Sequence, residues 1–404
     1  MHIIWITTQF PNAENKVNGI FIYRTVKELS KLYKITVVCL YPTPPPVFTM
    51  LKNLKNSKTI FKKWKKLYPS RPTPPEGLYN VDVIYLRYPR LWRGKLLFLE
   101  GLFAYIWGRE SFKKLIKTDT FLHSNWIFPE SKLAMIIAKK YNIPFIVTLR
   151  GGEVDVDKSL KYGTKNYTEA KKIINYARQV TSVSRELVIR FKEHKLIPID
   201  KKTSITHNIY EFNKFFIKGK YEAREILNLP PNENVILCVA SLTKRKNIHS
   251  LIEAFDSLND KSQNRLIIIG AGIEENFLKE IVTAKKLDNV IFIEKVLPDK
   301  LVDFYNAADV FCLLSFQEGL PNVIIESLLC GTPVVGSAVD EIPYIIKENI
   351  NGFLINPSSV DDIISKINTA LKTKWNRIAI RESINFLSQE NVINEYDSIY
   401  KNIL

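Results

Sequence analysis

Residues 310–336 read VFCLLSFQEGLPNVIIESLLCGTPVVG and indicate the fold class. An apolar strand over 310–314 leads through a polar loop into a helix over 322–329, and a second apolar strand follows over 333–336. Strand, helix and strand in this order form the unit of a parallel sheet. The loop after the first strand lies at the carboxyl edge of such a sheet, where ligands bind.

The same alternation continues in both directions along the 404 residues, a length that exceeds one ordinary domain. The fold class is therefore α/β, with two Rossmann-like parallel-sheet domains that leave a ligand cleft between them. We place the hinge at 210–222, where the charge changes sign. The other predicted strands cover 2–8, 34–40, 81–87, 121–123, 144–149, 180–183, 235–240, 265–270 and 290–293, and the other helices cover 20–32, 132–141, 248–258, 274–286, 300–307 and 360–372.

Charge is distributed unevenly between the two halves. Residues 1–210 contain 37 Lys and Arg against 15 Asp and Glu, a net charge of +22, whereas residues 211–404 contain 21 against 26, a net charge of −5. A field of that size attracts an anionic membrane, phosphate-bearing substrates or nucleic acid, unless the lysines only form a solvated surface. Single cysteines in apolar segments indicate reduced thiols and a cytoplasmic protein: Cys39, Cys238, Cys312 and Cys330.

A lysine-rich segment lies between two proline-rich stretches, residues 41–48 and 69–75. Residues 51–68 carry seven lysines together with Phe61 and Trp64. This composition suits a helix that lies on an anionic membrane surface, although an exposed helix packed on its own domain is the alternative. A second aromatic-rich segment covers 91–107. Because no apolar run is long enough to span a bilayer, we expect a peripheral protein at the inner membrane face.

Two carboxylates flank the start of the 322–329 helix. Glu318 precedes the helix and Glu326 lies within it. The amides at a helix N-terminus favour phosphate, and two nearby carboxylates could bind the hydroxyls of a ribose and a sugar. By themselves, the two residues could equally be a capping and a solvated glutamate.

The block 318–326 is followed by CGTPVV at 330–335, by Glu341-Ile342 and by NGFL at 351–354. This ordered series resembles the donor-binding half of the family 4 retaining glycosyltransferases of the GT-B fold. The resemblance implies transfer of a sugar from a nucleotide-sugar donor, with no metal ion or other cofactor. It also implies an acceptor-binding domain over 1–210 and a donor-binding domain over 211–380. The C-terminal helix at 381–404 is expected to pack back onto the acceptor-binding domain.

Within the resemblance, Glu326 binds the nucleotide ribose, Glu318 contacts the donor sugar and Lys246 binds the diphosphate. Gly19 matches the glycine of a first-domain loop that approaches the donor phosphates, where the absence of Cβ permits contact. The resemblance also predicts donor-side residues at the start of the helix, in a turn at a strand end and in the loop beside the base. These residues are Gly319, Leu320, Asn322, Gly270, Lys295 and Val296.

The chain departs from the family at two positions. Ser241 stands where the family has a diphosphate-binding Arg, and Lys244 or Arg245 could substitute for it with different geometry. Arg150 stands where the family commonly has a His before Gly151. Arg150 cannot act as a base, but we hypothesise that its permanent charge steadies the diphosphate and partly offsets Ser241.

Two acceptor-side residues are predicted in the first domain. Glu153 falls at an acidic family position near the acceptor, with an ion pair to a neighbouring lysine as the alternative. His123, at the end of a short strand, is predicted to point toward the acceptor, with a buried and satisfied imidazole as the alternative. Of the family's Pro-Asn-Gly near the hinge, only Asn208 carries over.

We therefore expect a retaining glycosyltransferase of the hexosyl type. Its acceptor would be a sugar or a lipid-linked intermediate of an envelope polysaccharide or glycolipid, and its leaving phosphate would accept the nucleophile's proton. Two other classes remain open. A non-catalytic carbohydrate- or partner-binding protein is favoured by Ser241 and Arg150, and a nucleic-acid-binding protein would use the basic half. The chain has no recognised nucleic-acid motif, so we expect no nucleic-acid partner.

Overall fold

The computed structural model describes residues 1–12, 15, 18–43, 75, 77–89, 97–151, 164–259, 261–294, 296–319 and 321–403. The lysine-rich segment 51–68 lies outside the described residues, as does most of both proline-rich stretches. The predicted site residues Glu153, Lys295 and Leu320 lie outside them as well.

The chain divides into two units, one formed by Met1–Ile209 with Val392–Leu404 and the other by Tyr210–Asn391. The first unit contains a parallel sheet in the order β3-β2-β1-β4-β5-β6-β7. Its elements are β1 (His2–Thr7), α1 (Ile20–Leu29), β2 (Lys34–Thr43), β3 (Val81–Pro89), α2 (Leu97–Leu115), β4 (Thr120–Asn125), α3 (Lys132–Tyr141), β5 (Phe145–Leu149), α4 (Thr164–Tyr176), β6 (Gln179–Ser182), α5 (Arg185–Glu193) and β7 (Thr203–Ile205).

The second unit contains a parallel sheet in the order β10-β9-β8-β11-β12-β13. The predicted pair of Rossmann-like parallel sheets is thereby confirmed. The elements that follow β7 are α6 (Lys220–Ile226), β8 (Asn234–Val239), α7 (Ile248–Asp256), β9 (Asn264–Ile269), α8 (Glu275–Ala284), β10 (Val290–Ile293), α9 (Pro298–Ala307), β11 (Val310–Leu313), α10 (Asn322–Leu329), β12 (Val334–Ser337), α11 (Ile342–Ile345), β13 (Gly352–Ile355), α12 (Val360–Lys372), α13 (Arg377–Glu382) and α14 (Gln389–Lys401).

Hydrophobic residues cover both faces of each sheet. The central strands β1 and β11 are buried along their whole length, as expected for strands between two helix layers. In the first unit, Ile4 and Ile6 pack into one core and Ile3 and Trp5 into the other. The alternation along β1 thus sends successive side chains to opposite faces.

The predicted returning segment, 381–404, is divided between the units. Residues from Val392 onward belong to the first unit, where Tyr396 and Tyr400 of α14 join a core with Trp5. Residues 381–391 belong to the second unit, where the Arg381 guanidinium donates to Phe215 O at 2.7 Å. The crossing segment is therefore shorter than the sequence predicts.

Candidate active site

The loop between β11 and α10 presents Glu318 at the carboxyl edge of the second sheet. Pro321 precedes α10 in an extended conformation, with φ −78° and ψ 106°, and has no side-chain acceptor for the first-turn N–H groups. Asn322, the first residue of α10, is exposed. Helix starts of this kind favour anions because their N–H groups point outward and the helix dipole is positive there.

The Glu318 side chain is 7% exposed, and its carboxylate lies beside three side chains. The Lys246 ammonium donates to its Oε1, and the Ser315 hydroxyl donates to the same oxygen at 2.6 Å. Arg245 Nη1 lies 3.6 Å from Oε2. The backbone N–H of Glu318 donates to Asp340 Oδ2 at 2.7 Å. A buried carboxylate and two cations therefore share one small volume.

A short turn at Lys244–Lys246, after β8, supplies both cations. The turn is fixed to the Glu318 loop, because Arg245 Nη1 donates to Gln317 O at 2.5 Å and Phe316 N–H donates to Arg245 O at 2.9 Å. Ser241, at the position of the family arginine, is exposed just beyond β8. The structure therefore brings a guanidinium to this site from Arg245, four residues further along the chain.

Glu326, the second predicted carboxylate, is half-buried on α10 and accepts a hydrogen bond from the Tyr305 hydroxyl at 2.9 Å. Tyr305 lies on α9 and is fully buried. Its burial, and then the nearby Glu326 carboxylate, raise the pKa of the phenol well above its usual value. Tyr305 is therefore a neutral donor that fixes the Glu326 carboxylate.

Two predicted glycines differ in what the fold requires of them. Gly270 has a φ of +147°, and an added Cβ would lie 1.8 Å from Ala240 O, so close strand-end packing demands glycine there. At Gly319, an added Cβ would meet no described atom within 4 Å. Packing among the described residues therefore does not explain Gly319.

Val296, another predicted donor-side residue, is partly buried against the second-unit core.

In the first unit, Arg150 follows β5 and is held at the carboxyl edge of that sheet. Its Nε donates to Asn125 Oδ1 at 2.6 Å, and its Nη1 donates to Asn208 Oδ1 at 2.9 Å. The guanidinium carbon lies 4.9 Å from the centroid of the Phe21 ring, within reach of a cation–π interaction. Asn125 ends β4 and Asn208 follows β7, so segments from separate strands fix this one cation.

Gly19 precedes α1 in the left-handed region, with a φ of +70°. An added Cβ would lie 2.5 Å from the carbonyl carbon and oxygen of Gln9. The fold itself therefore requires glycine at this position, independently of any ligand. Its predicted contact with phosphate remains a prediction.

The acceptor-side prediction for His123 is wrong. The imidazole is 1% exposed, with Nδ1 at 2.6 Å from the Tyr400 hydroxyl and Nε2 at 2.6 Å from Thr148 Oγ1. It stacks on Trp5 with ring centroids 4.0 Å apart. Burial, and then the charge of Arg150, hold its pKa well below the usual value. His123 is thus a neutral core residue beside α14.

Residues 219–384, within the second unit that carries Glu318 and Lys246, match the family described as Glycosyl transferases group 1. Across 91% of this chain and 88% of the relative, the sequence is 26% identical to the putative teichuronic acid biosynthesis glycosyltransferase TuaC of Bacillus subtilis. The chain is a glycosyltransferase, with a group 1 domain over residues 219–384. The predicted enzyme class and the resemblance to family 4 are thereby confirmed.

A second relative and a solved structure are similar to this chain over most of its length. The chain is 26% identical to the alpha-monoglucosyldiacylglycerol synthase of Acholeplasma laidlawii, over 77% of this chain and 81% of the relative. The crystal structure of Anabaena HepE in complex with UDP superposes with a TM-score of 0.66 at 17% identity, covering 100% of this chain and 99% of HepE. The GT-B fold is thereby confirmed.

Sequence reasoning missed several residues that hold the predicted site residues within each unit. Ser315 and Asp340 bind the side chain and backbone of Glu318, and Asn125 holds Arg150. Ser315 and Asp340 stand beside motif residues, so the sequence offered a signal for them. Asn125 lies in the segment HSNW, where the sequence prediction ended the strand before it.

Proposed function

We propose that this glycosyltransferase moves a sugar from a nucleoside-diphosphate sugar to an acceptor hydroxyl with retention of configuration. The observation that carries the proposal is the pairing of the Lys246 ammonium with the buried Glu318 carboxylate, just before the N-terminus of α10. Cations and outward-pointing amides stabilise a leaving diphosphate, while a carboxylate accepts hydrogen bonds from sugar hydroxyls. The loop that carries Glu318 and the turn at Lys244–Lys246 therefore supply both the carboxylate for the sugar and the cations for the diphosphate.

Each neighbouring group has a role in this proposal. Lys246 and Arg245 stabilise the diphosphate. Arg245 supplies the guanidinium that is absent at Ser241, the position of the family arginine. Glu326, fixed by Tyr305, binds the ribose hydroxyls. Gly319 leaves room for the donor beside its backbone amide, which agrees with the open space around its Cα.

The donor base and the stereochemistry belong to the same proposal. HepE has been crystallised with UDP and with UDP-glucose, which makes a UDP-sugar the first donor to test. The leaving phosphate oxygen takes the proton of the attacking hydroxyl on the same face of the sugar, so the configuration is retained. We further propose that Arg150 is required for turnover through its permanent charge.

We propose a lipid-linked or envelope polysaccharide or glycolipid intermediate as the acceptor, bound at an anionic membrane surface. The names of TuaC and of the alpha-monoglucosyldiacylglycerol synthase support this acceptor class. Residues 1–210 carry the net charge of +22. None of the helices in the described ranges is long and apolar enough to cross a bilayer.

The exposed face of α2 supports the proposed surface contact. Leu102, Ile106 and Trp107 are 40%, 47% and 41% exposed, and Lys113 and Lys114 follow on the same side of the helix. Apolar and aromatic side chains flanked by lysines favour the headgroup region of an anionic bilayer. Sedimentation with anionic vesicles at low salt tests the contact, and wild-type protein that stays in the supernatant would refute it.

Product formation tests the function itself. The enzyme is mixed with UDP-, GDP- or ADP-sugars and a lipid-linked acceptor, and release of nucleoside diphosphate is followed with the anomeric configuration of the product. We expect turnover with one donor and a product anomer that matches the donor. An inverted product would refute retention, and the absence of transfer from every donor would refute the proposed function.

A further inference from the structure

We propose that Glu130 is a positioning residue that fixes the start of the loop between β1 and α1, and through this loop the position of Gly19. The inference rests on the proposed function and on the predicted approach of Gly19 to the donor phosphates. Glu130 is fully buried, so it does not contact the donor itself. It acts by holding the loop backbone in place before the donor binds.

A single carboxylate oxygen of Glu130 binds Thr8 twice. Oε1 accepts from the Thr8 backbone N–H at 2.9 Å and from the Thr8 hydroxyl at 2.6 Å. Thr8 is the first residue after β1, and Glu130 lies between β4 and α3. Because β1 and β4 are parallel neighbours, both residues stand at the carboxyl edge of the first sheet. The two hydrogen bonds fix the backbone and the side chain of Thr8 together.

Gly19 packs directly on the residue that follows Thr8. An added Cβ at Gly19 would lie 2.5 Å from the carbonyl carbon and oxygen of Gln9. The Tyr85 hydroxyl donates to Pro11 O at 2.9 Å, which holds the same stretch of backbone two residues further on. Contacts this close leave no room for independent movement. A displacement at Thr8 therefore reaches Gly19.

The segment that carries Glu130 is itself held in place. Ser131 N–H donates to Trp126 O at 3.3 Å, and the Ser131 and Ser124 hydroxyl oxygens lie 2.8 Å apart. Trp126 N–H donates to Thr148 O at 3.0 Å, which ties the segment to β5. Glu130 is thus presented to Thr8 from a fixed backbone, as a group that positions a binding loop requires.

Stability alone does not account for a glutamate at this position. Oε2 of Glu130 has no hydrogen-bond partner in the described part of the chain. Burying a carboxylate with an unpaired oxygen destabilises a fold, and burial raises the pKa of this carboxyl to about 7. An apolar side chain of similar length would fill the same volume without that cost. Only the acceptor for Thr8 would be lost.

The donor KM of Thr8→Val, Glu130→Met and the double variant tests the inference. Glu130→Met removes both hydrogen bonds, and we expect the donor KM to rise at least about fivefold, with a smaller change in kcat. Thr8→Val removes only the hydroxyl bond and should have a smaller effect in the same direction. The double variant should have a donor KM no higher than that of Glu130→Met, because both substitutions act on the same contact.

Conservative variants provide the controls. Glu130→Gln keeps an acceptor for Thr8, and Thr8→Ser keeps the hydroxyl, so both should retain a donor KM close to that of the wild type. A purely structural role would lower the melting temperature without this division between rescuing and non-rescuing variants. Thr168→Val removes an exposed hydroxyl from α4 and should leave KM and kcat unchanged.

The inference and the proposed function fail in different ways. Folded Glu130→Met or Thr8→Val protein with a wild-type donor KM would overturn the inference and leave the proposed function standing, as would a double variant in which the two effects multiply. A wild-type enzyme that transfers no sugar would defeat both. If Glu130→Met unfolds, Thr8→Val decides the question, because it keeps the backbone hydrogen bond.

Discussion

The Lys246 ammonium binds the Glu318 carboxylate although 72 residues separate them in sequence. The pairing follows from the topology, because β8 and β11 are parallel neighbours and each residue stands in the loop after its strand. The carboxyl ends of parallel strands meet at the same edge of a sheet. The Lys246 side chain is only 12% exposed, so its charge acts in a partly dry environment where electrostatic interactions are stronger than in water.

Removing the Lys246 ammonium should reduce turnover more than it reduces stability. In Lys246→Ala, the proposed diphosphate site loses one of the two cations beside Glu318, and we expect kcat to fall about 100-fold to 1,000-fold. Steady-state kinetics with the preferred nucleotide-sugar provide the measurement. Lys279→Ala is the matched control, because Lys279 is an exposed lysine on α8 paired with Glu275. Equal activity of the two variants would exclude Lys246 from the reaction.

Substitutions at Glu326 and Tyr305 should act on donor binding. Glu326→Gln weakens the hydrogen bonds proposed between this side chain and the ribose, so the donor KM should rise about tenfold, equivalent to about 1.4 kcal/mol. Tyr305→Phe removes the hydrogen bond from the Tyr305 hydroxyl to the Glu326 carboxylate, and it should raise the donor KM by a smaller factor. It should also lower the free energy of unfolding by about 1 kcal/mol. Unchanged donor KM values in both variants would contradict the ribose role.

Glu130 gives the first unit a pH-dependent stability. The side chain is fully buried, its Oε1 accepts from the Thr8 N–H at 2.9 Å and the Thr8 hydroxyl at 2.6 Å, and burial raises its pKa to about 7. Between about pH 4.5 and pH 7 the folded state therefore holds a proton that the unfolded chain has lost. Stability from this group is complete below that range and is lost as the pH rises through 7.

The variant Glu130→Gln removes this dependence and keeps an acceptor for Thr8. At pH 8 we expect it to exceed the wild type in free energy of unfolding by up to about 3 kcal/mol, whereas at pH 5 the two should be similar. Urea denaturation at the two pH values makes the comparison. A wild type that gains stability between pH 5 and pH 8 relative to the variant would show the opposite sign and refute the assignment.

His123 should matter for folding and not for catalysis. His123→Phe keeps the stacked ring but removes its hydrogen bonds with the Tyr400 hydroxyl and Thr148. We expect the free energy of unfolding to fall by about 2 to 4 kcal/mol, with little change in kcat per folded molecule at low temperature. A lower acceptor kcat/KM at unchanged stability would restore the acceptor-side interpretation.

The sequence predicted the order of elements well, because apolar runs and amphipathic helices follow the local periodicity. The helices Lys132–Tyr141, Asn322–Leu329 and Val360–Lys372 begin and end where predicted. The strand predicted over 121–123 extends over Thr120–Asn125 instead. Its polar residues are indistinguishable from a loop in the sequence, and they are buried because other strands and helices supply their partners.

The sequence alone does not predict which residues contact the site residues. Arg150 is held by Asn125 and Asn208, which are 25 and 58 residues away, and only the strand order brings them together. The burial of His123 depends on Tyr400, which is 277 residues away on the part of α14 that belongs to the first unit. Motifs identified the residues that carry charge, whereas the fold decided which groups surround them.

Calorimetric titration of UDP-glucose, GDP-glucose and ADP-glucose into wild-type enzyme and Lys246→Ala measures whether Lys246 and Glu318 form a nucleotide-sugar site. We predict that at least one donor binds the wild type and that Lys246→Ala binds the same donor at least about tenfold more weakly. Equal affinity in the two proteins, or a wild type that binds none of the donors, would contradict the claim that Lys246 and Glu318 form a nucleotide-sugar site.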